Sequence, residues 1–158
     1  MIARSLLLLI SLCSCLLAEP VLRISKVVAE KGEGHERLIY TYKTADGEEN
    51  EDFLWVEKAA IVTDEDIRSA FESNQEEGAI SVTLTLPGAA KMMEATDKLN
   101  RGIDRMAIII DGRIVSAPVV QAKLGAMFVI TGIEGKERKA LIRRLNGNPV
   151  PKGRNGRR

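Results

Sequence analysis

The sequence predicts an α+β domain, a two-layer sandwich with an antiparallel or mixed sheet and helices on one face, ferredoxin-like or related. Three observations carry that prediction. Met106–Ser116 is a pair of apolar runs around Asp111-Gly112, and Asp-Gly accepts the positive φ angles of a tight hairpin turn. Ala79–Leu86 alternates, with Ile80, Val82, Leu84 and Leu86 on one strand face and Ser81, Thr83 and Thr85 on the other. Two later segments carry apolar residues at helical spacing. Hairpins mixed with helices on one side of a sheet give the α+β pattern, and the order β-α-β-β…α from Ala79 onward suits a two-layer sandwich.

The chain opens with an export pattern, and residues 1–18 are predicted to be a signal peptide. Arg4 supplies a positive charge and Leu6–Leu12 an apolar run, too short to span a bilayer that needs roughly 20 helical residues. Two cleavage points compete. Cleavage after Ala18 places a small residue last but bulky Leu16 where another small residue is preferred. Leu12-Cys13-Ser14 before Cys15 resembles a bacterial lipobox, although Cys13 is an unusual member of it. Lipidation at Cys15 is the preferred reading, with the acyl chains holding the protein on a membrane. Both cysteines of the chain lie in this stretch, so the body has neither disulfides nor thiol chemistry and must rely on its hydrophobic core.

Along the body, Val21–Val28 alternates as a strand, Lys31–Glu36 is a polar loop, and Leu38–Lys43 alternates with Tyr40 and Tyr42 on one face. Ala45-Asp46-Gly47 signals a turn before a strand near Phe53–Val56, so residues 21–57 form a small antiparallel unit. Thr63-Asp64-Glu65-Asp66 has the composition of a helix start, which predicts a short helix to about Ser73. After the strand at Ala79–Leu86, a helix is expected from near Thr85, with Pro87 in its first turn. It runs to about Arg101 and turns Ala89, Met92, Met93, Thr96 and Leu99 inward. The Met106–Ser116 hairpin follows, then a strand over Met127–Thr131. Glu134–Asn146 is helical, with Gly147 expected to end it in the left-handed conformation. Residues 58–148 make up the main α+β domain. The last ten, 149–158, are read as a basic disordered tail.

Composition narrows the function. A net charge of +1 offers no global field for nucleic acid, and an aromatic fraction of 4% argues against base-stacking platforms. The single histidine, His35, lies in a loop of Gly and Glu, far from the arrangement a hydrolase needs. Glu48, Glu49, Glu51 and Asp52 lack the alternating ligand spacing of a calcium loop, and no Gly-rich segment carries the Lys-Ser/Thr of a phosphate loop. No catalytic residue, metal or cofactor is expected. Asp111 is read as a turn residue rather than an acid catalyst.

Several ordered pieces resemble one family. Gly88-Ala89, Thr96, Ala107-Ile108, Asp111-Gly112, Ser116-Ala117-Pro118 and Gly132 match in sequence the pattern of the periplasmic head of SecD and the fused SecDF, membrane subunits of the bacterial protein-export machinery. Leu54–Lys58, Thr63 and Asp66-Ile67 resemble the segment before that head, and Leu145–Pro149 its close more loosely. SecD continues into transmembrane helices, whereas this chain ends in Lys152–Arg158. The resemblance implies an exported, non-enzymatic accessory module, periplasmic or attached to the envelope membrane. Its implied partners are a translocating polypeptide, components of the Sec translocase or another envelope protein, with no nucleic acid. The motif residues Asp111, Gly112, Arg113, Val115, Ser116, Pro118 and Gly132 are expected to be structural or partner-binding, through addition of a strand to an exposed edge. Competing readings are an envelope enzyme or inhibitor on a recruited scaffold, and a lipid-tethered assembly protein.

Overall fold

The computed structural model describes residues 19–44 and 46–147. In chain order they form β1 (Leu22–Val28), β2 (His35–Lys43), β3 (Glu49–Glu57), β4 (Val62–Thr63), β5 (Ile67–Glu72), β6 (Ile80–Leu84), α1 (Leu86–Asp97), β7 (Met106–Ile110), β8 (Arg113–Ser116), β9 (Met127–Ile130) and α2 (Gly135–Asn146). The α+β class is as the sequence predicts, and the strands divide between two sheets. The expected signal peptide, 1–18 with Cys13 and Cys15, and the expected basic tail, 149–158, lie outside the described residues.

The larger sheet runs β3-β2-β8-β7-β1-β4, and β1 also pairs with β3 through Val27↔Val56 and Val28↔Trp55. One parallel bridge, Tyr40↔Ile114, joins β2 to β8. These pairings close β1, β3, β2, β8 and β7 into a small barrel, so the strands of 21–57 and the 106–116 hairpin share one sheet. Val56, Ala107, Ile109, Ile114 and Ala117 pack together as one core, flanked by Val27, Leu38, Tyr40 and Leu54. The alternate residues Leu22, Ile24, Met106 and Ile108 face a second, larger core. β7 reads as an unbroken apolar run because both its faces are buried.

The second sheet is β5-β6-β9, antiparallel throughout. Ala70, Ile80, Val82, Leu84 and Ile130 point from it into the larger core, where they meet Met92 of α1 and Leu141 and Leu145 of α2. At roughly 25 cal/mol per Å² of apolar surface removed from water, these side chains are the main stabilising element of a body without disulfides. The strand expected over 127–131 is β9 of this second sheet.

The helix expected over 63–73 is not formed. Asp64–Asp66 makes a single 3-10 turn, with the Thr63 N–H bonded to Asp66 Oδ2 at 3.2 Å, and Ile67–Glu72 then runs as β5. The misleading signal has a physical origin. A bulge between Ile67 and Ser69 inserts one residue into the ladder with β6, so Ile67 and Ala70 both face the core at a spacing of three. That spacing mimics a helix.

α1 starts as predicted, Thr85 Oγ1 accepting the Gly88 N–H at 3.2 Å with Pro87 in the first turn. Gly88 is required there, since a Cβ would sit 2.8 Å from Asp66 Cβ. Three details differ. Leu86 leaves the strand alternation to become the first helical residue and is 88% exposed. Met92 and Met93, about 100° apart on the helix, cannot both face inward; the buried line is Gly88, Met92 and Thr96, and Met93 is exposed. The helix ends at Asp97, four residues short of the expectation, where Asn100 and Asp104 build a turn through Asn100 N–H to Asp104 Oδ2 at 2.9 Å. α2 matches its expected span, but Gly147 stays right-handed at φ −78°, its N–H closing on the carbonyls of Arg143 and Arg144 at 3.0 and 3.2 Å.

Candidate functional site

The hairpin turn is held from two sides. Asp111 and Gly112 take φ of 48° and 76°, the left-handed pair that the Asp-Gly sequence permits. The Asp111 N–H donates to the Val21 carbonyl at 3.2 Å, and its carboxylate accepts both terminal amines of Arg144, at 2.8 and 2.6 Å. The hydrogen bonds from Arg144 hold the Asp111 carboxyl below the usual carboxylate range, and Arg144 is raised in turn. Asp111 is thus a turn and clasp residue.

Asp111, Arg113, Val115, Ser116 and Gly132 line one groove of about 870 Å³ between the hairpin, Tyr40 and Tyr42 of β2, and α2. The two tyrosine rings stack with centroids 5.3 Å apart, on the shared face that the alternation predicts. Arg113 reaches across to Thr41 Oγ1 at 3.3 Å and Glu51 Oε1 at 3.6 Å, and Lys43 pairs with Glu134 at the rim. Gly132, at φ 83°, packs so that an added Cβ would lie 3.3 Å from the Val115 carbonyl. Gly112 stays at the turn, outside the groove lining, and Pro118 lines a second site.

That second site is an apolar cleft of about 310 Å³, reaching the larger core at Ile24, Met92, Met106 and Ile108 and bounded by Pro118–Ala122, Leu124, Phe128 and Val129. Beside it runs a strand edge. The Leu84 N–H donates to the Ala126 carbonyl at 2.7 Å, so antiparallel alternation directs the backbone of Phe128 and Ile130 toward β6 and that of Met127 and Val129 away from it. Among the described residues β9 pairs with β6 alone. Met127 is 60% exposed and Val129 38%. The opposite edge of this sheet, β5, is capped at its middle: Asn146 Nδ2 donates to the Ala70 carbonyl at 2.7 Å and its Oδ1 accepts the Ala70 N–H at 2.8 Å. The hairpin edge is flanked as well, by β7 and by the Tyr40↔Ile114 bridge. In the larger sheet β4 is only two residues long, and the stretch of β3 before its Trp55–Val56 pairing with β1 carries Glu49, Glu51 and Asp52, so the uncharged open edge among the described residues is β9, which the motif residues did not include. Its sequence signal was present in Met127-Phe-Val-Ile130, a strand without the charge or proline that ordinarily protects an edge.

His35 lies at the start of β2, its Nδ1 3.1 Å from the Glu30 carbonyl. Among the described residues no three His, Cys, Asp or Glu side chains are grouped to hold a metal ion. No helix among them is long and apolar enough to cross a membrane.

Comparison with known proteins returns one family. Residues 37–151 match the model of the SecDF P1 head subdomain. The chain is 30% identical over 129 residues to protein translocase subunit SecD of Aquifex aeolicus, an alignment covering 79% of this chain and 26% of that protein. It is 42% identical over 76 residues to protein translocase subunit SecDF of Thermus thermophilus, covering 46% and 10% respectively. It thus spans about a quarter or less of these relatives. A solved structure of SecDF, described as a membrane component that enhances protein export, superposes with a TM-score of 0.58 at 22% identity, over 84% of this chain and 64% of that one. A second, of SecDF in a super-membrane-facing form, gives 0.57 at 22% identity over 84% and 19%. The order of motifs, the fold and the family model agree, and the chain belongs to the SecDF P1 head subdomain family.

Proposed function

We propose that this chain serves protein export as an exported, non-enzymatic module that holds an extended segment of polypeptide in transit at the edge of β9. The observation that carries the reading is the pairing of an unprotected backbone edge, Met127 and Val129, with an adjoining apolar cleft. Main-chain hydrogen bonds from such an edge bind any extended sequence, and a neighbouring cleft takes alternate apolar side chains. A client of varied sequence needs that combination. The relatives' names as protein translocase subunits support a role alongside the Sec translocase. Residues 1–14 then act as the export signal, cleaved before Cys15, which serves as a lipid tether, and 149–158 act as a basic tail, with the module on the outer side of the membrane.

Photoreactive groups at Met127 and Val129, with Arg113 and Val115 as comparison positions in the hairpin groove, test this in cells exporting a stalled client. Crosslinks to the client from β9 are expected. Crosslinks confined to Arg113 and Val115 would move the client to the larger groove and overturn the edge assignment. Absence of client from all four positions would overturn the function.

A further inference from the structure

The near-zero net charge of this chain conceals a strong division. Residues 135–158 hold nine Lys and Arg against one Glu, a net +8, and the preceding 134 residues hold 14 against 21 acids, a net −7. The fold sorts the cations of α2 by direction. Arg138 and Arg144 turn toward the body, where Arg138 donates to the Gly78 carbonyl at 3.1 Å and Arg144 clasps Asp111. Lys136, Lys139 and Arg143 are exposed at spacings of three and four, which places them in one row along the outer face. Among the described residues none of the three has an acidic partner.

We propose that this outer ridge of α2 is a docking surface for an anionic phospholipid membrane. Its chemistry selects that occupant. The three cations span about 10 Å of helix on a convex face, matching a plane of headgroups rather than a single ligand. A specific protein interface needs buried apolar or aromatic anchors, but the apolar residues Leu141 and Leu145 face inward. Residues 135–158 contain no aromatic side chain for nucleic-acid bases. Lys152, Arg154, Arg157 and Arg158 follow in sequence and add to the same charge. The start of the body also lies at this end, because Val21 is bonded to Asp111 and Asp111 to Arg144. Val21 is only six positions beyond Cys15, a reach of at most about 20 Å, so a lipid at Cys15 and the α2 ridge would meet one surface together.

The test is flotation of the full chain, as processed by cells, with phosphatidylcholine vesicles and with phosphatidylcholine–phosphatidylglycerol vesicles. An acyl chain binds both, and the difference isolates the charge. A preference for the anionic vesicles is expected, lost in about 1 M salt, where the screening length falls to about 3 Å. Replacing Lys136, Lys139 and Arg143 together by Gln should lower that preference about a hundredfold, near fivefold per cation, with thermal unfolding unchanged. Equal binding to both vesicles overturns the proposal, as does an undiminished preference in the triple variant. Loss of the preference only when Lys152, Arg154, Arg157 and Arg158 are neutralised would assign the contact to the tail and reject the ridge, and capture of an acidic protein without any vesicle preference would reject the membrane.

Discussion

Asn146 closes the edge of β5 by presenting its side-chain amide to Ala70 as a neighbouring strand would present a peptide group, with both hydrogen bonds at 2.7 and 2.8 Å. The last residue of α2 thereby ends the second sheet on one side and leaves β9 as its open side. Asn146→Ala removes both partners from a partly buried backbone pair. The expected cost is about 1–3 kcal/mol, read as a lower urea midpoint. A second effect follows from the exposed edge, namely self-association at raised concentration, visible by light scattering.

The Asp111–Arg144 pair predicts an acid dependence. The folded-state carboxyl lies below its unfolded value because Arg144 donates to it. Its stabilisation is therefore complete above the unfolded pKa of about 3.9 and is lost as pH falls through the lower folded value. Both side chains are about half exposed, so the pair contributes no more than about 1 kcal/mol. Asp111→Asn tests it without breaking the turn, since Asn also tolerates the left-handed conformation. The variant should be weaker than the parent in urea at pH 7, with the difference shrinking as the pH falls below the unfolded carboxylate value; a difference that does not change with pH would remove the ion pair from the explanation.

Thr96 matches the resemblance for a reason the structure supplies. It is fully buried, its hydroxyl donates to the Met92 carbonyl at 2.8 Å, and it accepts the Leu124 N–H at 3.0 Å. The loop beside the apolar cleft is thus fastened to α1 by the buried Thr96 hydroxyl, with the Lys123–Asp97 ion pair at 3.2 Å on the surface. Thr96→Val keeps the volume and strands the Leu124 N–H, at a cost of about 1–3 kcal/mol. Thr96→Ser keeps the bonds and loses one methyl, about 1 kcal/mol. Unfolding midpoints in the order parent, Ser, Val are expected, and Val equal to parent would show that the hydroxyl does not hold the loop.

What was legible in the sequence was local. Asp111-Gly112 between apolar runs defines a hairpin because the turn chemistry and both strands are contiguous, and Thr85 with Pro87 marks a helix start within four residues. The parts that were not legible depend on distant partners. Ile67 and Ala70 carry a helical spacing that only the bulge against Leu84 and Thr83 explains. The partner of β9 is β6, and nothing local in Met127–Ile130 records that register. The capping of β5 needs Asn146 and Ala70, 76 residues apart, and no period or motif records such a pair. The open edge is legible only once the strand partners are known and the charged stretch of β3, Glu49 to Asp52, is set apart from uncharged β9.

Two adjacent proline substitutions test that edge directly. Proline removes a backbone N–H, so its effect depends on where that N–H points. The Leu84–Ala126 hydrogen bond fixes the alternation: the Phe128 N–H faces β6, and the Val129 N–H faces outward beside the cleft. Phe128→Pro should therefore break the ladder and strand the Val82 carbonyl, at a cost of about 1–3 kcal/mol. Val129→Pro spares the ladder, as prolines on sheet edges do, and should cost far less in a urea titration. It also removes one of the outward donors that a client strand would use, so crosslinking from Met127 should fall although the domain stays folded. Equal destabilisation by both prolines would mean that Val129 is already paired within the fold. Unchanged crosslinking in a folded Val129→Pro protein would mean that clients hold to the cleft by side chains and not by strand addition.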